Sequence, residues 1–282
     1  MSKPVIPALA AALALGLGLT ACGSGSGSGS DSASGGGGDD GTLVVGATAV
    51  PAGEVLSYIK KDLAAKNGLD LQVQEFTDYV LPNTALQEGS LDANLYQNEP
   101  YLDDFNKAKG TDLVPVVKAY LPPMGVYSKT VQDVTKLADG ATVAVPNDTT
   151  NEGRALKLLA SKGVITLKEG AGTTASPADI AKNPKNLRFK ELEPAQLPRS
   201  LDDVAAAVIN NNYAQDAGLS PAEDAILLES AKNNPYANLL AVKKGNEDDP
   251  RVEKLAKLLT SPEVRKFIED KYQGSVLPVT SG

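Results

Sequence analysis

The stretch "TVAVPNDTTNEGRALKLL", residues 142–159, joins a β-branched run to an amphipathic run through a loop of Asn, Asp and Thr. The first run is typical of a β-strand, and the apolar spacing in the second predicts an α-helix. Thr149 and Glu152 fit a T-x-x-E capping box, so we expect Thr149 to be the N-cap of this helix. A strand that leads directly into a helix indicates an α/β fold.

The same alternation of strand and helix patterns continues through the chain from residue 42 onward. Predicted strands cover 42–47, 69–76, 113–117, 124–127, 142–145, 187–191 and 238–242. Predicted helices cover 53–68, 98–109, 151–161, 201–209, 250–259 and 262–272. Strands separated by helices predict parallel sheet with right-handed crossovers, and hence an α/β class. No Pro/Ser-rich linker divides this part, so two lobes would be joined by strands that cross a hinge.

The first forty residues have a different composition. Lys3 precedes an apolar run from Val5 to Leu19, and "LTAC" ends at Cys22, the only cysteine of the chain. The run is short for a membrane span but has the length of a signal-peptide core. Because "LTAC" resembles the lipobox of bacterial lipoproteins, we expect a signal peptide at 1–21 and lipidation of Cys22. The Gly/Ser-rich residues that follow, up to residue 41, predict a flexible linker.

Composition excludes several classes of function. Histidine is absent, and the only cysteine lies at the predicted anchor. Histidine-based triads and zinc sites built on His or Cys are therefore excluded, and neither G-x-S-x-G nor a P-loop motif occurs. The net charge of −8, without a basic cluster, argues against nucleic acid as a partner. We expect a protein that is not an enzyme and has no cofactor and no metal ion.

Arg154 lies one turn into the predicted helix, whose N-terminus already carries a positive partial charge. The helix dipole disfavours a cation there by roughly 0.3–1 kcal/mol. A bidentate contact with a carboxylate contributes about 1.5–3 kcal/mol and would outweigh this cost. Two interpretations remain open at this point. Arg154 binds an anionic ligand at the carboxyl ends of the strands, or it pairs with a neighbour such as Glu152 or Asp148.

Four stretches resemble the signature segments of the NlpA/MetQ family of methionine-binding lipoproteins. They are "EFTDYVLPNTALQEGSLDANLYQNEPYL" (75–102), "VPNDTTNEGRALKLL" (145–159), "NPKNLRFKELEPAQLPRSLDDVAAAVINNNYA" (183–214) and "NPYANLLAV" (234–242). The similarity extends from about Thr42 to Pro278. It implies a two-lobed periplasmic-binding-protein (type II) fold with a hinge and a ligand cleft between the lobes. It also implies delivery of methionine to the permease and ATPase of an ABC importer.

The resemblance also implies roles for individual residues. In the matching motifs, Arg154 holds the carboxylate of the ligand and Asn151 assists it. Asn210 and Asn238 contact the backbone of the bound amino acid. The remaining implied ligand-binding residues surround the ligand side chain: Tyr79, Tyr96, Asn98 and Tyr101.

Two of these positions depart from the family pattern. Asn98 replaces a common histidine, and Tyr96 replaces a common phenylalanine. The hydroxyl of Tyr96 needs a hydrogen-bond partner in a mainly apolar slot, and Asn98 is one candidate. The alternative is a changed ligand, such as a related amino acid or a methionine-containing dipeptide, while L-methionine remains the first expectation. A surface lipoprotein with an interaction role unrelated to transport is a further alternative.

The expected organisation follows from these observations. Lobe one is expected to cover residues 42–128 and 236–282, and lobe two residues 129–235. The lipid on Cys22 would hold the protein at the cell membrane, outside the cytoplasm, beside its permease.

Overall fold

The structure, a computed structural model, describes residues 41–279 of the chain. The predicted signal peptide, Cys22 and nearly all of the predicted linker lie outside this range. No helix in the described range is long and apolar enough to cross a membrane.

The strands and helices alternate along most of the described chain. The strands are β1 (Leu43–Thr48), β2 (Leu71–Phe76), β3 (Ala93–Asn98), β4 (Leu113–Leu121), β5 (Gly125–Tyr127), β6 (Thr142–Pro146), β7 (Thr166–Leu167), β8 (Ile180–Lys182), β9 (Arg188–Leu192), β10 (Ala206–Ile209), β11 (Leu227–Leu228), β12 (Asn238–Lys243) and β13 (Leu277–Pro278). The α-helices are α1 (Glu54–Tyr58), α2 (Leu81–Glu88), α3 (Glu99–Lys109), α4 (Thr149–Ser161), α5 (Asn211–Asp216), α6 (Pro221–Asp224), α7 (Pro250–Leu259) and α8 (Pro262–Tyr272). Helix α1 continues as a wider π-helical segment over Ile59–Ala64 and a 3₁₀ turn over Ala65–Asn67.

Two large sheets organise these elements. The first has the strand order β13-β4-β12-β3-β1-β2, and the second has the order β11-β5-β10-β6-β9. Strand β1 runs parallel to β2 and β3, and β6 runs parallel to β9 and β10. Strands β12 and β5 are antiparallel to their neighbours. Both sheets are therefore mixed rather than purely parallel, the first through β12 and the second through β5.

The chain crosses between the two sheets twice. The first crossing, residues 122–124, joins β4 to β5, and the second, residues 229–237, joins β11 to β12. The expected end of lobe one at residue 128 differs from this arrangement, because β5 pairs with β10 and β11 in the second sheet. The expected boundary between residues 235 and 236 falls inside the second crossing.

Each sheet has its own apolar core. Helices α7 and α8 cover the first sheet with side chains spaced three or four residues apart, as an amphipathic helix requires. On α7 these are Val252, Leu255 and Leu259, which are at most 2% exposed. Burial of such a side chain stabilises a fold by about 1.5–3 kcal/mol. The second sheet packs in the same way on α4 through Leu156 and Leu159.

The prediction of a helix over 201–209 was wrong. The structure has a 3₁₀ turn at Pro198–Asp202 and then strand β10, which lies between β5 and β6. All four residues of β10 are buried. A strand that is buried on both faces has no apolar–polar alternation, so periodicity does not separate it from a buried helix.

Strand β3 was not predicted at all. It contains Asn94, Gln97 and Asn98 and yet is fully buried. Gln97 Nε2 donates to Asn83 Oδ1 at 2.6 Å and to Asn94 Oδ1 at 2.9 Å, while Asn83 Nδ2 donates to Gln97 Oε1 at 2.8 Å. These bonds between side chains remove the cost of burying the amides.

Candidate functional site

A pocket lies between the two sheets, beside both crossings, and it contains every side chain that was predicted to bind a ligand. It has about 380 Å³ of free space, its mouth and the adjoining open solvent included. The lining residues are Pro51, Tyr79, Tyr96, Gln97, Asn98, Tyr101, Pro122, Asn151, Arg154, Asn210, Asn211, Asn212 and Asn238. Within residues 41–279, no group of three or more His, Cys, Asp or Glu side chains is placed to hold a metal ion.

Sequence reasoning missed five of these lining residues. Pro51 and Pro122 lie in segments that were not singled out, and Gln97 lies in the quoted stretch 75–102 but was given no role. Asn211 and Asn212 belong to the run "INNN" together with the predicted residue Asn210. They were not predicted as lining residues, because the incorrect prediction of a helix over 201–209 implied that this run ends a helix. The structure instead has the run following β10 and beginning α5, so its side chains face the pocket.

The N-terminus of α4 is capped by Asp148 and not by the predicted Thr149. Asp148 Oδ1 accepts a hydrogen bond from the backbone N–H of Asn151 at 3.0 Å, as an N-cap carboxylate does. Glu152 does not return to the cap, and its Oε1 is buried without a partner. The capping box was wrong because aspartate one position earlier competes for the same N–H groups and brings a negative charge to the positive end of the helix.

A chain of hydrogen bonds fixes the orientation of the two pocket amides. Asn151 Nδ2 donates to both carboxylate oxygens of Asp148, at 2.9 and 3.1 Å, and Asn210 Nδ2 donates to Asn151 Oδ1 at 2.8 Å. Because an ionised carboxylate only accepts, Asn151 must present its oxygen to Asn210. Asn210 must therefore keep its own oxygen for the pocket. That oxygen, Asn210 Oδ1, is buried and has no partner in residues 41–279.

Arg154 pairs with Glu229, which neither open interpretation of the sequence included. Arg154 Nε donates to Glu229 Oε1 at 2.9 Å and Nη2 donates to Glu229 Oε2 at 2.5 Å, while Nη2 also donates to the carbonyl oxygen of Pro122 at 3.0 Å. The guanidinium lies 4.4 Å from the ring centre of Tyr236. Arg154 is 3% exposed, and its Nη1 has no hydrogen bond to any residue within 41–279.

The ion pair keeps Glu229 charged in spite of burial. Burial by itself would raise the pKa of Glu229, but the charge and hydrogen bonds of Arg154 outweigh burial and hold that pKa below its usual range. A buried arginine without such a partner would leave an uncompensated charge. Arg154 is thus held by one edge of its guanidinium, and Nη1 is left without a hydrogen bond among residues 41–279.

Three tyrosines form an aromatic wall on the side of the first sheet. The ring centres of Tyr96 and Tyr101 lie 5.9 and 5.8 Å from that of Tyr79. The hydroxyls of Tyr96 and Tyr101 both donate to the backbone oxygen of Tyr79, at 2.7 and 2.9 Å. Burial raises the pKa of Tyr79 and Tyr96 well above its usual value, so these hydroxyls remain neutral.

The hypothesis that Asn98 serves the hydroxyl of Tyr96 was wrong. That hydroxyl bonds Tyr79, and Asn98 is instead the N-cap of α3, with Oδ1 accepting from the backbone N–H of Tyr101 at 3.1 Å. Asparagine is among the best N-cap residues, which explains how it fits at this position. Asn238 supports the same wall from β12 by donating from Nδ2 to the backbone oxygen of Tyr96 at 2.8 Å.

Side chains from the two sheets meet across the pocket. Tyr79 donates from its hydroxyl to Asn212 Oδ1 at 2.5 Å, and Tyr213 donates to the backbone oxygen of Thr77 at 3.1 Å. Asn211 Nδ2 donates to the backbone oxygen of Ser275 at 2.6 Å. The two lobes are therefore closed over the pocket. Asn212 Nδ2 is buried inside it without a partner in the described range.

Comparison with known proteins agrees with this architecture. The family model described as NlpA lipoprotein matches residues 43–280. The "D-methionine-binding lipoprotein MetQ" of Salmonella typhimurium is 43% identical over 241 residues, which cover 85% of this chain and 89% of the relative. The protein of the same name from Escherichia coli K12 is 44% identical over 237 residues, which cover 83% and 86%.

Solved structures show the same fold. A nutrient binding protein from Burkholderia cenocepacia, solved with bound methionine, is 49% identical, has a TM-score of 0.82, and aligns over 85% of this chain and 100% of its own. The methionine binding protein MetQ is 41% identical with a TM-score of 0.81, over 86% and 100%. These neighbours confirm the predicted two-lobed α/β binding-protein fold. The chain belongs to the NlpA lipoprotein family.

Proposed function

We propose that this protein is the substrate-binding component of an ABC importer and that it captures methionine between its two lobes. The observation that carries the proposal is a set of three pocket groups that have no hydrogen-bond partner among residues 41–279. Arg154 Nη1 is a charged donor, Asn212 Nδ2 is a buried donor, and Asn210 Oδ1 is a buried acceptor whose orientation is fixed. Leaving a buried polar atom without a partner costs about 1–3 kcal/mol, so a ligand that bears both an anion and a cation stabilises this pocket.

The α-carboxylate and α-ammonium groups of an amino acid meet this requirement. The carboxylate accepts from Arg154 Nη1 and from Asn212 Nδ2, and the ammonium donates to Asn210 Oδ1. Burial of a zwitterion is favourable only when both of its charges are paired in this way. Asn151 then acts indirectly, because its side chain is engaged by Asp148 and Asn210.

The aromatic wall receives the side chain of the ligand. A thioether sulfur at the edge of an aromatic ring gains about 0.3–1.5 kcal/mol, and the rings of Tyr79, Tyr96 and Tyr101 present both faces and edges. The similar protein solved with bound methionine supports this assignment. Since the curated relatives carry D-methionine in their names, the D-enantiomer is a second candidate ligand beside L-methionine.

Capture proceeds by hinge closure about the two crossings. Tyr79, Tyr96 and Asn98 form the wall of the first lobe, and Arg154, Asn151 and Asn210 form the wall of the second, with Asn238 beside the second crossing. Such closure around a ligand is a common transition of two-domain binding proteins. The pocket lining includes no histidine and no cysteine, and we propose that methionine leaves the protein chemically unchanged.

The proposal includes the cellular setting. The lipid on Cys22 holds the protein on the outer face of the cell membrane, and the Gly/Ser-rich linker lets it reach the permease, which the associated ATPase drives. The relatives are named lipoproteins, which supports this arrangement. Labelling with a radioactive fatty acid tests it, because replacement of Cys22 by alanine should abolish the label.

Calorimetry tests the ligand. Purified protein is unfolded and refolded to remove methionine carried from the cell, and is then titrated with L-methionine, D-methionine and methionine-containing dipeptides. We expect one methionine bound per protein. If a dipeptide produces heat of binding and neither enantiomer of methionine does, the ligand is a peptide and not methionine. Absence of heat with every one of these ligands would overturn the transport proposal and favour an interaction role for the lipoprotein.

A further inference from the structure

Glu229 lies outside the pocket and yet determines what Arg154 presents to it. The carboxylate of Glu229 occupies one edge of the guanidinium through two hydrogen bonds, to Nε at 2.9 Å and to Nη2 at 2.5 Å. Its side chain is 12% exposed. In such a water-poor setting each charge acts strongly on its neighbours.

The same ion pair connects both crossings. Glu229 is the first residue of the second crossing, and its Oε2 accepts from the backbone N–H of Met124 at 3.2 Å, while its own backbone N–H donates to the oxygen of Met124 at 2.9 Å. Arg154 reaches the first crossing as well, through Pro122. The first crossing therefore bonds both partners of the ion pair, Glu229 through Met124 and Arg154 through Pro122.

Among the described residues that line the pocket, Arg154 is the only one with a formal charge, and Glu229 pairs with it. Asp148 bonds Asn151, which accepts from Asn210, so the group on that side is a carboxyl and not a second cation. An arginine without a counter-ion would attract any carboxylate, whereas this arrangement requires the ligand to bring its own positive charge.

We propose that Glu229 is a specificity-determining residue that makes the pocket select a zwitterionic amino acid over an anion with the same carboxylate and side chain. Glu229 does so by neutralising Arg154 and by fixing which of its nitrogen atoms faces the ligand. The inference rests on the proposed function, since it takes methionine as the reference ligand.

The test compares methionine with its analogue that lacks the α-amino group, on wild-type protein and on Glu229→Gln. Glutamine has nearly the same shape but no charge. The wild-type protein should bind the analogue far more weakly than methionine. We define the ratio as the dissociation constant of the analogue divided by that of methionine. In Glu229→Gln this ratio should fall by about tenfold or more, because the uncompensated Arg154 now attracts the anion. Glu253→Gln, which removes one exposed carboxylate from the ion pair with Lys257 on α7, is the control and should leave the ratio unchanged.

A purely structural role for Glu229 would weaken both ligands by the same factor, and an unchanged ratio in Glu229→Gln would overturn the proposal. Thermal unfolding without ligand shows whether the variant folds. Glu229→Asp keeps the charge and should retain most of the wild-type ratio. Should neither variant fold, wild-type protein that binds the analogue as tightly as methionine would also overturn the proposal. Failure of wild-type protein to bind methionine would instead contradict the proposed function.

Discussion

At the scale of single residues, the pocket depends on how its polar groups are oriented by their hydrogen-bond partners. Asp148 directs Asn151, Asn151 directs Asn210, and Glu229 directs Arg154. Asp148 and Glu229 accept through carboxylates, and Asn151 accepts through its amide oxygen, so each fixes the donor beside it. The ligand meets one fixed donor and one fixed acceptor as a result.

Arg154→Ala should reduce the affinity for methionine by at least about 30-fold, because truncation of a buried, hydrogen-bonded charge costs about 2–5 kcal/mol or more. Calorimetry measures the effect, and thermal unfolding without ligand confirms that the variant is folded. Arg199→Ala removes an exposed arginine and is the control. If Arg154→Ala binds methionine with the wild-type affinity, Arg154 does not contact the ligand.

Asp148→Asn tests the orientation of the amides. Asparagine still caps α4, but it presents a donor as readily as an acceptor, so Asn210 loses its fixed orientation. Methionine should bind about tenfold more weakly, a loss near 1.4 kcal/mol. Asp133→Asn is a matched control, because Asp133 caps a 3₁₀ turn outside the pocket by accepting from Thr135. Equal effects of the two substitutions would contradict the role of Asp148.

Eight of the thirteen described residues that line the pocket could be selected from the sequence, but their hydrogen-bond partners could not. The resemblance to a known family selected Arg154, Asn210 and the tyrosines, and the pocket contains all of them. Glu229 is 75 residues from Arg154 along the chain, and no local pattern relates the two. The partner of Tyr96 was missed for a similar reason, since it is a backbone oxygen of a loop.

At the scale of elements, two amphipathic helices were predicted with the right bounds, while two of the buried strands were missed. The predicted helices 250–259 and 262–272 are confirmed with the same bounds, because Asp249 and Ser261 cap them and a proline occupies the first turn of each. Strands β3 and β10 were missed for different reasons, since the similarly buried strands β1, β6 and β12 were predicted. Three of the six residues of β3 are polar amides, which is not typical of a buried strand. Strand β10 has no apolar–polar alternation, so periodicity does not separate it from a buried helix.

Gly153→Ala tests how closely α4 packs. A Cβ at this position would collide with the backbone oxygen of Thr173 and lie 2.8 Å from the backbone nitrogen of Ala175. Overpacking of this kind destabilises the fold by about 1–3 kcal/mol, and the higher helix propensity of alanine offsets at most about 1 kcal/mol of this loss. We expect a net loss of about 1–2 kcal/mol in the free energy of unfolding, measured by denaturant titration.

Gly172→Ala is the matched control, because the loop position has open space around its Cβ. It should change the free energy of unfolding by less than about 0.5 kcal/mol. Equal stability of the two alanine variants would show that the segment 173–175 does not restrict α4.

At the scale of the whole molecule, closure of the two lobes is held by side chains at the rim of the pocket. Tyr79 and Asn212 meet across the cleft, and Asn211 reaches Ser275 beside the first sheet. The two-lobed architecture could be predicted from the resemblance. The positions of the crossings could not, because β5 is a three-residue strand whose sheet is decided by its partners β10 and β11.

Tyr79→Phe removes one hydrogen bond across the cleft and keeps the aromatic wall. Loss of a neutral hydrogen bond costs about 1 kcal/mol, which corresponds to roughly a fivefold weaker affinity. The loss should appear mainly as faster release of methionine, because the closed form is destabilised. Stopped-flow displacement measures this rate. Tyr58→Phe, at a tyrosine that stacks on Phe267 away from the pocket, should release methionine at the wild-type rate.

The most direct measurement is a crystal structure of the protein with methionine. We expect a closed cleft in which the ligand carboxylate lies within hydrogen-bond distance of Arg154 Nη1 and the ammonium group faces Asn210 Oδ1, with Glu229 still bound to Arg154. Methionine bound in the opposite orientation, or a ligand carboxylate that displaces Glu229 from Arg154, would contradict the proposed binding mode.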